Sequence, residues 1–235
     1  MGLGIKIDTI PKQMKRAVCL LSGGMDSCVS TAMARADGLE TALLHLSYGQ
    51  RTQERELRAF REIAAHWNAP TTLTVALPHF RAIGGSALTD SRIAVPEGAL
   101  GRPGIPVSYV PFRNANFLAA AVSWAEAIEA SVIYIGAVEE DSSGYPDCRE
   151  AFFDAYNRVI REGTRPETAI EIVTPLIHMS KKEIVLKGLE LEAPLELTWS
   201  CYQDEVTACG RCDSCQLRLR AFAEAGIDDP IPYQE

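Results

Sequence analysis

Residues 20–27 of this chain, LLSGGMDS, have the residue types that bind phosphate. Two consecutive glycines permit positive φ angles and close approach of the backbone, and successive N–H groups at a helix N-terminus attract an anion. The hydroxyls of Ser22 and Ser27 can donate to the same oxygens. Asp26 either caps the helix or holds a Mg²⁺ ion that bridges phosphate oxygens. The stretch therefore predicts a phosphate site, and a plain Gly-Gly turn with a polar cap is the alternative.

The pattern around these glycines is not that of a Walker loop, because no lysine follows them. SGGMDS instead resembles the PP-loop of the ATP pyrophosphatases, which cleave ATP between the α and β phosphates and activate a substrate oxygen as its adenylate. This resemblance implies ATP and Mg²⁺ as cofactors. It also implies a nucleotide-binding segment made of Leu21, Ser22, Gly23, Gly24, Met25, Asp26, Ser27, Cys28, Val29, Ser30 and Thr31.

Two positions elsewhere place a cation at the start of a predicted helix. Arg113 can clamp a phosphate or a carboxylate in bidentate fashion, with capping and a surface salt bridge as the alternative, and Asn114 is predicted to cap that helix. Ser180 and Glu183 predict a capping box on a later helix, and lysines in a first helical turn oppose the helix dipole. Lys181 is therefore predicted to reach a phosphate.

The loop over residues 138–149 is rich in acidic and turn residues. It offers carboxylates for a metal or for purine-like amino groups, an aromatic face at Tyr145, a further acid at Asp147 and a cation at Arg149; a solvated loop is the alternative. Cys148 is the cysteine with the features of a reactive thiol. Cys19 and Cys28 are expected to be small core residues.

Four cysteines near the C-terminus have the spacing C-x7-C-x2-C-x2-C: Cys201, Cys209, Cys212 and Cys215. Four thiolates complete a closed tetrahedral Zn²⁺ site, which is structural because no position remains for water. An iron–sulfur cluster is the chemical competitor. Arg211, Arg218 and Arg220 are predicted to balance the charge of the thiolates.

Strand patterns alternate with helical patterns, which predicts a Rossmann-like parallel α/β sheet with helices on both faces. Strands are expected at 17–21, 41–47, 71–76, 131–137 and 170–173, with helices between them. Residues 78–106, rich in Gly and Pro, are predicted to be a lid or substrate-facing segment. We expect an N-terminal extension (1–15), a nucleotide-binding domain (16–195) and a zinc-binding segment with a helix (196–235).

The composition is that of a soluble globular protein, with 47% hydrophobic and 23% charged residues. No apolar run approaches the roughly 20 residues that span a bilayer, and the start of the chain lacks the apolar core of a signal peptide, so we expect a cytoplasmic protein with no membrane partner. The net charge of −8 disfavours a nucleic-acid partner. Clustered cysteines in such a protein favour a metal over disulfides.

The chain resembles the 7-cyano-7-deazaguanine synthase family over about residues 16–230, through SGGMDS, YGQR, VPFRN, GAVEEDSSGYPDCR, SKKEIV, TWSCY and CGRCDSC. The resemblance implies a homodimeric, ATP-dependent ligase that converts 7-carboxy-7-deazaguanine and ammonia to the nitrile preQ0 through adenylated acid and amide intermediates, in queuosine biosynthesis. It implies that Asp26, Arg113 and Lys181 are catalytic, and that Tyr145, Asp147 and Arg149 hold the deazaguanine. AMP and pyrophosphate are the implied by-products, with ADP and phosphate as the alternative.

Thr52, Glu54 and Glu56 depart from the His and Glu that members of the family often carry after YGQR, so no role is predicted beyond Arg51. Two other functions are compatible with a PP-loop. A tRNA-thiolating enzyme needs a sulfur-carrying cysteine beside the nucleotide and a basic face for RNA. A non-catalytic nucleotide-binding relative would bind ATP without turnover.

Overall fold

The computed structural model describes residues 15–98, 104–139 and 144–234. Residues 1–14 of the predicted extension, part of the segment 78–106, and Glu140 and Asp141 of the acidic loop lie outside the described residues.

Strands and helices alternate along the described chain, as predicted. The strands are β1 (Arg16–Leu20), β2 (Glu40–Ser47), β3 (Thr71–Ala76), β4 (Val132–Ile135) and β5 (Glu171–Val173). The helices are α1 (Met25–Ala36), α2 (Gln53–His66), α3 (His79–Ile83), α4 (Arg113–Ala127), α5 (Glu150–Gly163), α6 (Lys181–Glu190) and α7 (Asp213–Ala225). Short 3₁₀ turns lie at Pro146–Cys148 and Leu195–Leu197.

All five strands are parallel and lie in the order β3-β2-β1-β4-β5. Cys19 of β1 is paired with Leu43 of β2 on one side and Tyr134 of β4 on the other. The chain winds outward from β1 in both directions, so a crevice forms beyond the carboxyl ends of β1 and β4, where open α/β sheets bind ligands.

The side chains of β1 divide between two cores. Ala17 and Cys19 pack with α1, α2, α6 and α7 on one face, and Val18 and Leu20 pack with α4 and α5 on the other. Each large apolar side chain removed from water in these cores contributes about 1.5–3 kcal/mol. The prediction of a parallel sheet with helices on both faces is confirmed, and Cys19 and Cys28 are buried as expected.

The two predicted caps have different outcomes. Ser180 and Glu183 form the capping box at the start of α6, as predicted. The prediction that Asn114 caps α4 is wrong, because the N-cap position is Phe112, in the left-handed region at φ 57°. Asp147 supplies the missing acceptor: its Oδ2 accepts from the backbone N–H of Asn114 at 2.9 Å. A residue 33 positions away therefore satisfies this helix end, which no local pattern predicts.

The Gly- and Pro-rich segment contains α3, which was not predicted, and no other helix or strand within its described residues. Arg51 anchors it: the guanidinium donates to the carbonyl oxygens of Ala87 at 2.7 Å, Asp90 at 3.2 Å and Ile93 at 2.7 Å. The segment is therefore fastened to the residues that follow β2, and its function as a lid stays a prediction.

The C-terminal helix α7 adds Ala221 and Phe222 to the core that contains α1, while the division into domains stays a prediction. Each of the three arginines predicted to balance the thiolates pairs with a carboxylate, and their effect on the thiolates stays a prediction. The buried Arg218 forms a bidentate pair with Asp229, with N–O distances of 2.7 and 2.9 Å.

Within the described ranges, no helix combines the length and the apolar character needed to cross a membrane.

Candidate active site

A cleft of about 290 Å³ opens at the carboxyl edge of the sheet. Residues that follow β1, β2 and β4 line it, including the turn after β1, Tyr48 after β2 and residues 136–138 after β4. Side chains from later in the chain complete the walls: Arg113, Tyr145, Lys181 and Tyr202. The cleft therefore lies at the point where the strand order reverses.

The turn between β1 and α1 requires glycine. Gly23 has φ +96°, and a Cβ there would lie 2.6 Å from the carbonyl oxygen of Glu56, closer than real side chains come. Its own carbonyl accepts from the N–H of Trp199 at 2.8 Å. Gly24 is the N-cap of α1, and no side chain caps this helix end. The first-turn N–H groups are thus left to bind an anion.

Asp26 and Lys181 meet at this helix end, although 155 positions separate them in the sequence. Lys181 Nζ lies 2.5 Å from Asp26 Oδ2, and the side chains are 13% and 29% exposed. Asp26 Oδ1 is buried and has no hydrogen-bond partner within the described chain. Of the two roles predicted for Asp26, capping is wrong because Gly24 holds the cap position. A desolvated carboxylate oxygen without a donor is suited to a hard cation such as Mg²⁺.

The two serine hydroxyls of the turn bond within the turn itself. Ser27 Oγ donates to the carbonyl of Gly24 at 2.9 Å and accepts from the N–H of Ser22 at 3.2 Å. Ser22 Oγ lies 3.0 Å from Ser27 Oγ. These bonds fix the shape of the turn before any ligand enters.

The predicted nucleotide segment extends beyond the cleft. Leu21, Ser22 and Gly24 to Ser27 line it. The last four predicted residues are buried in α1 and do not line it: Cys28, Val29, Ser30 and Thr31.

Gly136, for which no role is predicted above, brings the end of β4 against α1. A Cβ at this position would lie 2.7 Å from the carbonyl carbon and oxygen of Asp26 and 2.8 Å from the nitrogen of Ser27. The backbone after β4 therefore packs directly on the peptide that positions Asp26. The available signal was a glycine immediately after a strand, which often marks a close approach of two backbones.

Arg113 projects into the cleft between two aromatic rings. Its Cζ lies 5.3 Å from the centroid of the Tyr48 ring and 5.6 Å from that of Phe117. Its Nη1 donates to Tyr48 Oη at 3.0 Å. Burial raises the pKa of Tyr48 to about 12, so the phenol is neutral at pH 7. Burial by itself lowers the pKa of Arg113, but the neighbouring tyrosines and Cys148 raise it and the net direction is upward, so the guanidinium stays charged.

Glu56 is a second residue of the cleft that sequence reasoning missed. Its Oε2 accepts from Gln50 Nε2 and its Oε1 lies by Thr52 Oγ1, both at 2.9 Å. Thr52 Oγ1 also lies 3.2 Å from the carbonyl of Cys201, and its single hydrogen cannot serve both acceptors. A protonated Glu56 donates its own hydrogen to Thr52 Oγ1, which leaves the threonine hydrogen for the carbonyl of Cys201. Burial raises the pKa of the Glu56 carboxyl, which favours this protonated form.

The three predicted substrate-binding residues lie in different environments. Tyr145 lines the cleft and donates its hydroxyl to Ser108 Oγ at 2.9 Å. Asp147 is buried against the start of α4, and Arg149 is exposed; neither lines the cleft. Cys148 lines it, and burial raises the pKa of this thiol to about 11, which disfavours a reactive thiol; that role stays a prediction.

The four C-terminal cysteines converge into a cluster that can hold a metal. Their sulfur atoms all lie within 4.8 Å of one another, and those of Cys209 and Cys215 are 3.9 Å apart. Ligands at roughly 2.3 Å from a tetrahedral zinc would be about 3.8 Å apart. Backbone N–H groups of Gln203, Asp204 and Cys209 donate to Cys201 Sγ at 3.3–3.4 Å, as metal-bound thiolates require.

The cysteine cluster is joined to the cleft. Trp199, Ser200 and Tyr202, which flank Cys201, line the cleft. The guanidinium of Arg55 on α2 lies 4.5 Å from the centroid of the Trp199 ring. No role is predicted from the sequence for Trp199, Ser200 or Tyr202, although each lies within two residues of the predicted metal ligand Cys201.

Comparisons with known proteins show which family this chain resembles. The model of a family described as Queuosine biosynthesis protein QueC matches residues 16–226. The chain is 61% identical to the 7-cyano-7-deazaguanine synthase of Chlorobaculum tepidum and 60% identical to that of Chlorobaculum parvum, in each case over 93% of this chain and 96% of the relative. Among solved structures, a 4-thiouridine synthetase in complex with RNA and with bound ATP aligns with 83% of this chain and 44% of its own, at a TM-score of 0.52. At 20% identity, this similarity shows a shared fold alone.

Proposed function

We propose a reaction for this chain, which belongs to the QueC family of queuosine biosynthesis proteins. The cleft binds 7-carboxy-7-deazaguanine, ammonia and ATP, and the enzyme converts the acid to 7-cyano-7-deazaguanine. Family membership makes the chain an ATP-dependent enzyme of the ligase type. The observation that carries the proposed use of ATP is the Asp26–Lys181 pair beside the uncapped end of α1.

The reaction consists of two activations of an oxygen that leaves poorly. The carboxylate oxygen attacks the α-phosphorus of ATP and expels pyrophosphate, and ammonia then displaces AMP and loses a proton to give the amide. The amide oxygen then attacks the α-phosphorus of a second ATP and expels a second pyrophosphate, and loss of AMP and of the two amide protons leaves the nitrile. Because both activations transfer the same adenylyl group, one phosphate site serves both.

The roles in phosphate binding follow from the geometry at the end of α1. The free N–H groups of the first turn receive the β and γ phosphates. The buried Asp26 Oδ1 would hold Mg²⁺, which when bound would neutralise charge on the phosphates. Lys181 is held by Asp26 at 2.5 Å and lies ready to contact the charge that develops on pyrophosphate.

For the cysteine cluster we propose structural Zn²⁺. Four buried thiolates leave no open position, and the backbone N–H groups already directed at two of the sulfurs suit a closed site. Through Trp199 and Tyr202 the metal would fix one wall of the cleft. Elemental analysis of freshly purified protein tests this assignment: about one zinc per chain is expected, and iron in its place would favour a cluster.

We further propose a cytoplasmic homodimer whose partners are small molecules. The net charge of −8 disfavours a polyanionic partner, and the neutral thiol of Cys148 is unsuited to sulfur transfer to RNA. Light scattering coupled to size exclusion measures the oligomeric state directly.

The decisive experiment is incubation of the purified chain with 7-carboxy-7-deazaguanine, ammonium, Mg²⁺ and ATP, with mass spectrometry of the products. We expect the nitrile, with the amide as a transient species, and AMP with pyrophosphate. ATP bound without turnover of the acid would contradict the proposal, and ADP with phosphate would contradict the adenylation chemistry.

A further inference from the structure

Arg113 has an unmet requirement for an anion. Its Nε is inaccessible to solvent and has no hydrogen-bond partner among the described residues. Its one hydrogen bond goes to the neutral phenol of Tyr48, and no ion pair of the described chain includes it. A charged donor left unsatisfied in this way is costly, because water cannot replace the missing acceptor. A ligand anion removes that cost.

The rings around Arg113 restrict the shape of this anion. Tyr48 and Phe117 lie 5.3 and 5.6 Å from the guanidinium carbon, and Nη1 is occupied by the phenol. Neither Nε nor Nη2 has an acceptor within the described chain, so a carboxylate that enters beside Nη2 reaches Nε once it displaces the atoms that now shield it. Two parallel N–H donors on one edge match the two oxygens of a carboxylate.

The neighbouring charges favour a carboxylate over a phosphate chain. The carboxylate of Asp147 is bonded to the N–H of Asn114, the residue after Arg113, and so occupies the start of α4. It repels a polyanion more strongly than a singly charged acid. Tyr145 and Tyr202 line the same cleft, and their flat faces suit a planar heteroaromatic ring.

We infer that Arg113 is the receptor for the carboxylate of the acid substrate and sets specificity for it, an assignment that rests on the proposed function. This replaces the role in stabilising phosphate charge that the sequence predicts for Arg113. The carboxylate is present only in the first half-reaction, since the amide that enters the second half-reaction carries no charge. Arg113 therefore distinguishes the acid from the amide.

The test measures binding of 7-carboxy-7-deazaguanine and of the corresponding amide by calorimetry without ATP. In Arg113→Gln we expect the affinity for the acid to fall about 100-fold, because two charge-assisted hydrogen bonds to the carboxylate are lost. The affinity for the amide and the KM for ATP should change by no more than about threefold. Arg113→Lys keeps the charge but not the planar fork, and its affinity for the acid should be intermediate.

Arg161→Gln, on the exposed surface of α5, is the matched control, and melting curves of all variants report folding. An equal loss of affinity for acid and amide, a raised KM for ATP, or an acid that does not bind the wild-type chain would each overturn the inference. The proposed function fails by a different result, namely an acid that binds but is not turned over.

Discussion

Replacing Gly136 by alanine tests how the end of β4 positions Asp26. The added methyl group would lie 2.7 Å from the carbonyl carbon and oxygen of Asp26, whereas carbon contacts are comfortable at roughly 3.5–4.0 Å. Because the opposing atoms are backbone, no side chain can rotate out of the way. The first turn of α1 must therefore move by about 1 Å relative to the sheet.

The expected magnitude follows from this displacement. Overpacking of a tight site costs about 1–3 kcal/mol of unfolding free energy, which in a domain of this size lowers the melting temperature by about 2–12 °C. A reacting group misplaced by about 1 Å loses about 100-fold in rate. We therefore expect kcat/KM to fall about 100-fold and the affinity for ATP to fall with it.

The assay compares thermal melts, calorimetric binding of ATP and turnover for the wild type, Gly136→Ala and Gly163→Ala. Gly163, the last residue of α5, has no heavy atom within 4 Å of the added Cβ, so its replacement should leave binding and turnover unchanged. A Gly136→Ala protein with the melting temperature and ATP affinity of the wild type would refute the reasoning, because the close approach of the two backbones would then not constrain the position of Asp26.

Three further predictions concern single side chains. Asp26→Asn should lower turnover at least about 100-fold but leave the melting temperature nearly unchanged, because a partly exposed ion pair contributes only about 0–1 kcal/mol; turnover like that of the wild type would exclude Asp26 as a metal ligand. Cys212→Ser should lose its bound metal and its cooperative melt, whereas Cys148→Ser, the matched control, should keep both; elemental analysis and circular dichroism measure the difference, and full metal content in Cys212→Ser contradicts the four-thiolate site. Burial lowers the pKa of His45 from 6.5 to about 4, so only the unfolded chain takes up a proton between these values, and stability should be complete above pH 6.5 and decline toward pH 4. Denaturant titrations should show that decline reduced in His45→Gln, and an equal decline in both proteins would contradict the assignment.

The sequence alone determined the secondary structure elements and the glycine turn between β1 and α1. Alternation of apolar strands with helices predicted the parallel sheet, because buried parallel strands read as continuous apolar runs. The capping box at Ser180 and Glu183 and the turn at Gly23 and Gly24 were visible because their interactions are local. The spacing of the cysteines was sufficient to predict a cluster of ligands, since three of them lie within one short segment.

Only the tertiary structure decided which distant groups meet. Asp147 caps α4, Lys181 binds Asp26 and Gly136 packs on the peptide of Asp26, all through contacts between residues far apart in the chain. Local patterns cannot predict these contacts, because they depend on the order of the strands and on how the loops fold over the carboxyl edge of the sheet. At the same edge of the sheet, Arg113 lies between two aromatic rings, and its Nε has no partner within the described chain. This lack of a partner can be recognised only when the positions of all the neighbouring residues are known.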